Sequence, residues 1–253
     1  MHSVFSAEQG MQLLLDLLVL HQTERLSLAA AYRRLLAQTV MAHIPVPPFP
    51  RSPYDGYALR SADTSAASPE HPVVLRIAEE LPAGTAPSRT LAAGTAVKIF
   101  TGAPVPEGAD TIIKYEDTVF TSHTVTMSHP CKPGNIVPVG EDIAGGAVLA
   151  SCGTSITGPV MGMLAGQGLA QILVYRRPVV SIISTGSELV QAGVPLSPGK
   201  IYGTNFFILG GFLQNLDTQV LDGGTVEDDP EEIAACIRRE LLRADLVITT
   251  GGA

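Results

Sequence analysis

The chain has 253 residues, 45% hydrophobic and 16% charged, with 25 glycines and 19 prolines, the profile of one to three folded domains rich in turns rather than of a disordered chain. Its formal net charge is −8, from 16 basic and 24 acidic residues, and no basic run exceeds Arg176-Arg177; this argues against a nucleic-acid surface but not against a small anionic ligand held by local donors. No uncharged apolar run reaches the roughly 18 residues of a membrane span, no basic flank precedes the apolar stretch 11–20, and Cys131, Cys152 and Cys236 are too scattered for a zinc site or a disulfide framework. The expectation is a cytoplasmic protein with reduced cysteines, no membrane and no nucleic acid.

In chain order, Ser6-Ala7-Glu8-Gln9 reads as a helix cap with a glutamine spaced to bond back to it, and a helix is expected over 7–20. Ser27 is set to cap a second helix over 28–39, with Leu28, Ala31, Leu35 and Leu36 on its apolar face. Pro45, Pro47, Pro48, Pro50 and Pro53 then forbid helix and favour an extended rail. Short β-like runs follow at 73–77, 96–100, 111–115 and 124–127, separated by turns at Gly84, Gly94 and Gly108. Thr157-Gly158-Pro159 opens a short helix over 160–167. From Pro178, strand and helix alternate: strand 179–183, helix 206–216, strand 219–221, helix 231–242 opened by Asp228-Asp229-Pro230, and strand 245–250. That is an open parallel α/β layout. The resulting division is a helical domain in two parts, 1–44 and 141–177, around a β-rich domain over 45–140, followed by an α/β domain over 178–253. Three strands leave the faces and edges of such a sheet poorly covered, so the α/β domain is expected to be incomplete at Ala253.

Ser184-Thr185-Gly186-Ser187-Glu188 directly follows the first α/β strand. Ligands in open α/β sheets sit beyond the carboxyl ends of strands, where backbone N–H groups and small hydroxyls hold anions. Glu188 is either a ligand group, for a hydrogen bond or a cation, or a solvated turn acid. Thr249-Thr250-Gly251-Gly252 follows the third strand; its small residues admit close approach of a ligand or make a plain tight turn, and they match neither a Walker motif nor a dinucleotide fingerprint. Asp55, in Tyr54-Asp55-Gly56-Tyr57-Ala58, belongs to an ordinary Asp-Gly turn signal or serves as an acid/base or metal-phosphate carboxylate. Thr101 gives one hydroxyl to a rigid loop at a strand end. Gly140-Glu141-Asp142 sets two carboxylates at a domain boundary. Asp228 and Asp229 are normal caps for a Pro-started helix, or oxygen ligands if other segments converge on them. No Ser/His/Asp set and no His/Cys metal spacing supports covalent hydrolase or zinc chemistry.

Taken in order, Pro48-Phe49 with Ser52, Asp55-Gly56-Tyr57-Ala58, the run Ile99 to Pro106, Gly140-Glu141-Asp142-Ile143, the run Ser184 to Leu189, Ile201-Tyr202 with Asn205, Asp228-Asp229 and Thr250-Gly251-Gly252 resemble the molybdopterin molybdenumtransferases. These are the molybdenum-insertion proteins of molybdenum-cofactor synthesis, related to the C-terminal region of gephyrin. The resemblance implies a multi-domain α+β and α/β protein: a helical domain interrupted by a β-rich insertion, then a three-layer α/β molybdopterin-binding domain and a further C-terminal β domain, paired as an elongated homodimer. It implies adenylylated molybdopterin and molybdate as substrates, insertion of the metal into the dithiolene, release of AMP, and assistance by Mg2+ or a similar divalent cation. Carried over by motif, Asp55, Thr101 and Asp142 face the cleft from the insertion, and Glu188 and Asp228 from the α/β side, where they hold the cation. Thr185, Gly186, Ser187, Asn205, Thr250, Gly251 and Gly252 bind the pterin substrate. Molybdopterin adenylyltransferase and molybdoenzyme maturation proteins are the further partners this suggests.

The chain departs from the family's pattern at Arg51-Ser52-Pro53, at Val137-Pro138-Val139, at Ser187 and at Gly203. Two other readings stand beside the enzyme: a divergent relative that binds molybdopterin without turnover, and a structural scaffold. The 253-residue piece by itself is expected to be inactive.

Overall fold

A computed structural model describes residues 6–17 and 22–251. Helix Ala7–Leu17 opens with a reciprocal cap: the Gln9 N–H donates to Ser6 Oγ at 3.2 Å, and the Ser6 N–H to Gln9 Oε1 at 3.0 Å. The end of that expected helix falls partly outside the described residues. The chain then divides into two units, Met1–Thr39 with Ala150–Ala253, and Val40–Leu149. No helix among the described residues is long and apolar enough to cross a membrane.

In the first unit the helix expected over 28–39 does not form. Strand Thr23–Ser27 pairs antiparallel with strand Gln171–Tyr175, and only the single 3-10 turn Leu28–Ala30 follows. Tertiary pairing overrides helical propensity here. The backbone N–H groups of Leu28, Leu36 and Ala37 go to the carbonyls of Ala170, Thr154 and Leu173, at 2.9, 2.9 and 3.1 Å, so none is left for a helical ladder. Ser27 makes no side-chain cap, and Arg33, at φ 65°, breaks any right-handed path. The leucine spacing still reports burial, since Ala31 and Leu36 are fully enclosed. The short helix forms as Gly158–Gly166.

The α/β part of this unit is a three-stranded parallel sheet in the order Gln219–Val226, Val179–Thr185, Leu246–Thr250. The middle strand is buried along its whole length, as its β-branched apolar run predicts. Helices Asn205–Asn215 and Pro230–Glu240 pack on this strand and on Gln219–Val226. Pro230 takes the first turn, and the Asp229 carboxylate accepts from the Glu231 and Glu232 N–H groups at 2.9 and 3.0 Å. At the far end of that helix, fully buried Glu240 accepts from Ser181 Oγ on the middle strand at 2.7 Å, from Arg239 at 3.0 Å and from Arg243 at 2.8 Å. Burial pushes the Glu240 carboxyl up; the hydrogen bonds from Ser181, Arg243 and Arg239 outweigh it and hold the group below its ordinary value.

The second unit is a six-stranded sheet in the order Thr111–Lys114, Gly56–Leu59, Thr95–Ile99, Val73–Leu81, Thr124–Met127, Val119–Phe120. Four of these strands match the β-like runs in the sequence. Gly56–Leu59 does not: Asp55-Gly56 carries a turn signal, yet the glycine opens a fully buried strand flanked on both sides. Its alternating side chains feed two cores. Tyr57 and Leu59 pack with Leu75, Val125 and Met127, and Ala58 packs with Leu81, Val97, Ile99 and Ile112. The Tyr57 ring lies 5.2 Å from Tyr115 and 5.8 Å from Phe120, so the last strand curls back toward the second. Gly56 is obligatory at the head of the strand, because an added Cβ would lie 2.0 Å from the Ile113 carbonyl oxygen.

Candidate functional site

Two clusters of the expected residues form, one in each unit. In the first unit, the parallel register sets Ser184 opposite both Thr225 and Thr250, so all three strands end at one level. The loops that leave this edge are Gly186 to Glu188, Glu227 to Asp228, and Gly251. They are tied together by short links. The Gly186 N–H donates to the Val226 carbonyl at 3.0 Å, and Thr185 Oγ1 to the Thr250 carbonyl at 3.2 Å. The Ser187 N–H reaches Asp228 Oδ2 at 3.5 Å, at the limit of a hydrogen bond.

Positive φ favours glycine at both turns, and at Gly251 a backbone contact demands it as well. At Gly251, φ is 106° and a Cβ would stand 2.2 Å from the Thr185 carbonyl oxygen. At Gly186, φ is 148° and a Cβ would meet both Glu188 carboxylate oxygens, at 2.7 and 2.8 Å. The exposed Glu188 carboxylate is therefore folded over the buried Gly186. Thr250 Oγ1 is buried at this edge with no hydrogen-bond partner among the described residues, as are the hydroxyls of Tyr57, Thr111 and Tyr115 in the second unit. Asn205 opens its helix and is exposed, and Gly252 lies outside the described residues.

In the second unit Asp55 sits at the turn before strand Gly56–Leu59. Both the N–H and the hydroxyl of Thr101 donate to its Oδ1, at 2.8 and 2.7 Å. The Thr101 N–H, then its hydroxyl, hold the Asp55 carboxyl below the usual range. Asp142 lies apart from this pair, exposed, with Arg51 at 3.6 Å. Arg51, one of the departures from the family's pattern, is itself bridged by backbone to Val137 and Pro104. The structure thus joins Asp55 to Thr101 and gives Asp142 a cationic neighbour of its own.

The family model for the MoeA N-terminal region (domain I and II) matches residues 5–168, and that for a probable molybdopterin binding domain matches residues 181–253. The chain belongs to the MoeA family. It is 41% identical over 226 residues to molybdopterin molybdenumtransferase 2 of Mycobacterium tuberculosis, covering 89% of this chain and 56% of the relative. It is 36% identical over 236 residues to the molybdopterin molybdenumtransferase of Bacillus subtilis, covering 91% and 55%. A crystal structure of the molybdopterin biosynthesis MoeA protein from Pyrococcus horikosii superposes with a TM-score of 0.93 at 32% identity, over 99% of this chain and 64% of that one. The chain therefore spans a little over half the length of the MoeA relatives it matches.

The match to the probable molybdopterin binding domain over 181–253 covers the whole carboxyl edge, and the match to the MoeA N-terminal region over 5–168 covers Asp55, Thr101 and Asp142. Sequence reasoning missed Lys200, whose Nζ donates to the Ser187 carbonyl and pins the loop from a later turn. A lone lysine after Pro198-Gly199 carries no signal of that role. It also missed Asp222, whose position before Gly223-Gly224 within a strand was a usable sign of a bulge.

Proposed function

We propose that the polypeptide to which this chain belongs inserts molybdenum from molybdate into adenylylated molybdopterin and releases AMP. The observation that carries this reading is the convergence of three strand ends on the loops of Gly186, Asp228 and Gly251, where the buried Thr250 hydroxyl has no hydrogen-bond partner among the described residues. Such an edge offers backbone donors to an anionic ligand. Thr185, Ser187 and Asn205, with Thr250, Gly251 and Gly252, are the residues we assign to the pterin and its phosphate. Asp55, Thr101 and Asp142 are assigned to the same reaction from the second unit, where the Thr101 bonds lower the Asp55 pKa and fix its carboxylate in place. The reading carries with it a homodimer and a cytoplasmic location.

Cleaving a phosphoanhydride requires that its charge be neutralised. Among the described residues no group of three or more His, Cys, Asp or Glu side chains could hold a metal, so a resident cage is not part of the reading. Glu188 and Asp228, on neighbouring loops, suit a cation such as Mg2+, which binds through one or two carboxylates plus substrate phosphates. When bound, that cation would neutralise the developing phosphate charge.

The test is molybdate-dependent AMP release from adenylylated molybdopterin by the full-length polypeptide. Turnover is expected, with a loss of at least about tenfold in Asp55→Asn, on the scale of removing one charge-stabilising or proton-transferring group. Tight binding of adenylylated molybdopterin with no AMP release would overturn the enzyme reading in favour of a binding relative. Failure to bind any pterin would sink both.

A further inference from the structure

Beside the carboxyl edge lies a cavity of about 210 Å³, lined among others by Ser184, Gln191, Phe206, Phe207, Asp222 and Thr225. The rings of Phe206 and Phe207 meet edge to face, with centroids 5.3 Å apart and planes at 75°. Asp222 is the one charged side chain in the lining. The lining is mixed, polar at Ser184, Gln191, Asp222 and Thr225 and apolar at the two rings, and an aromatic wall beside a carboxylate suits a flat heterocycle with a polar edge.

Asp222 is aimed by a defect in the sheet. Ile182 pairs with Asp222 but Ile183 pairs with Gly224, so Gly223 is an extra residue in its strand. A Cβ on Gly223 would lie 2.7 Å from Ile183 Cγ1 and 2.9 Å from the Ile182 carbonyl oxygen, so the bulge admits only glycine. Gly224, at φ 89°, turns its N–H back to Asp222 Oδ1 at 2.8 Å. Bulges of this type re-aim a side chain beside a functional site. Here the carboxylate is fixed by one backbone bond, and Oδ2 has no hydrogen-bond partner among the described residues. Each carboxylate oxygen has two lone pairs, so Oδ1 still accepts a second donor.

We propose that Asp222 is the specificity-determining residue for the ring of the bound pterin, accepting the ring's N3–H and 2-amino N–H side by side while Phe206 and Phe207 wall the ring. This rests on the molybdopterin reading above. The 2-amino-4-oxo pyrimidine edge presents two adjacent donors, the pattern a carboxylate meets two-pronged. A 2,4-dioxo ring of the same shape presents an oxygen where the amino group was, and that oxygen faces the carboxylate unpaired. Discrimination then comes from repulsion as well as attraction.

The experiment compares equilibrium binding of pterin-6-carboxylate and lumazine-6-carboxylate to the 253-residue chain, for the wild type and for Asp222→Asn. Asp222 is exposed in the free chain, and the bound ring would cover it; the wild type is then expected to prefer the pterin by about tenfold, the scale of one polar mismatch against a charged acceptor. Asp222→Asn is expected to invert the preference, because its amide donates to the 2-oxo group while its oxygen still accepts N3–H. Equal affinity of the wild type for both probes would overturn the role of Asp222 and leave pterin binding intact. A pterin preference that survives unchanged in Asp222→Asn would do the same. Binding of neither probe by the wild type would overturn this proposal, while the reading it rests on is decided separately by AMP release from the full-length polypeptide.

Discussion

The two candidate clusters differ in what holds them. At the carboxyl edge of the α/β sheet, backbone lies against backbone, and the position of Gly251 is set by the Thr185 carbonyl that a Cβ would strike at 2.2 Å. In the curled sheet, an exposed aspartate is held by two hydrogen bonds from one residue, Thr101. The first cluster is a shape, which one added methyl group destroys. The second is a placed charge, which a substitution can remove without moving the chain. A shape of this kind suits recognition of a large rigid ligand, and a placed charge suits a chemical step at one atom.

The sharpest way to break that contrast is to attack the shape beneath the charge. Gly56 follows Asp55 directly, and its Cβ would lie 2.0 Å from the Ile113 carbonyl in a strand flanked on both sides. Backbone cannot yield there as a flexible side chain would. Gly56→Ala should therefore lower the stability of the second unit by about 3 kcal/mol, the upper range for overpacking a buried site, read as a shift in its urea unfolding midpoint. Gly251→Ala creates an equally close contact, but at the end of an edge strand. It should leave global unfolding nearly unchanged and abolish pterin binding. If both substitutions unfold their units alike, the distinction between a site-forming glycine and a sheet-forming one fails.

Gly56 also shows where the sequence stopped being informative. The strands and helices of the α/β part were legible because their signals are local: a β-branched run at 179–183, and proline at the first helical position with acids beside it. Asp55-Gly56 carries an equally local signal, for a turn, but the glycine answers to a carbonyl more than fifty residues away. The missing helix over 28–39 fails for the same reason. Leu36 is buried as its spacing predicts, yet by pairing with residues near 154 and 174, a partnership no local window contains. For the candidate site, the motifs marked which loops matter. They did not show that Asp55 and Thr101 are bonded, or that a bulge directs Asp222.

A second test asks whether the carboxyl-edge shape depends on charge after all. Glu240 is fully buried and bonds Ser181 on the middle strand. In Glu240→Ala the side chains of Arg239 and Arg243, 64% and 51% exposed, return to water, and the Ser181 hydroxyl stays buried without that acceptor. The loss should be about 2 kcal/mol, the scale of one unsatisfied buried group, rather than the larger figure for a stranded buried charge. The pH dependence follows in sign. The folded-state pKa lies below the ordinary 4.5, so between the two values the unfolded chain binds more protons and stability rises with pH. The contribution of Glu240 is complete above pH 4.5 and is lost as pH falls through the folded value. Acid unfolding of Glu240→Gln should be flatter across that window than that of the wild type; identical profiles would show that Glu240 does not couple to folding.

The smallest effect separates shape from charge within two adjacent residues. Asp229 caps its helix through two N–H bonds, at 2.9 and 3.0 Å, whereas Asp228 turns to the Ser187 N–H at 3.5 Å, too long to hold the loop firmly. Asp229→Ala should cost about 1 kcal/mol of stability, the usual value of an N-cap, and leave pterin affinity within twofold once measured well below the unfolding transition. Asp228→Asn should leave the unfolding midpoint in place and impair cation-dependent turnover in the full-length polypeptide, since it removes the charge and keeps an acceptor. Thermal unfolding and turnover measured on both variants decide the matter. A midpoint that falls with Asp228 and a turnover that falls with Asp229 would reverse the assignment, and would make the first of the two acids a structural residue like its neighbour. The expected outcome places the boundary between scaffold and site at the bond between residues 228 and 229, where the helix cap ends and the loop facing Ser187 begins.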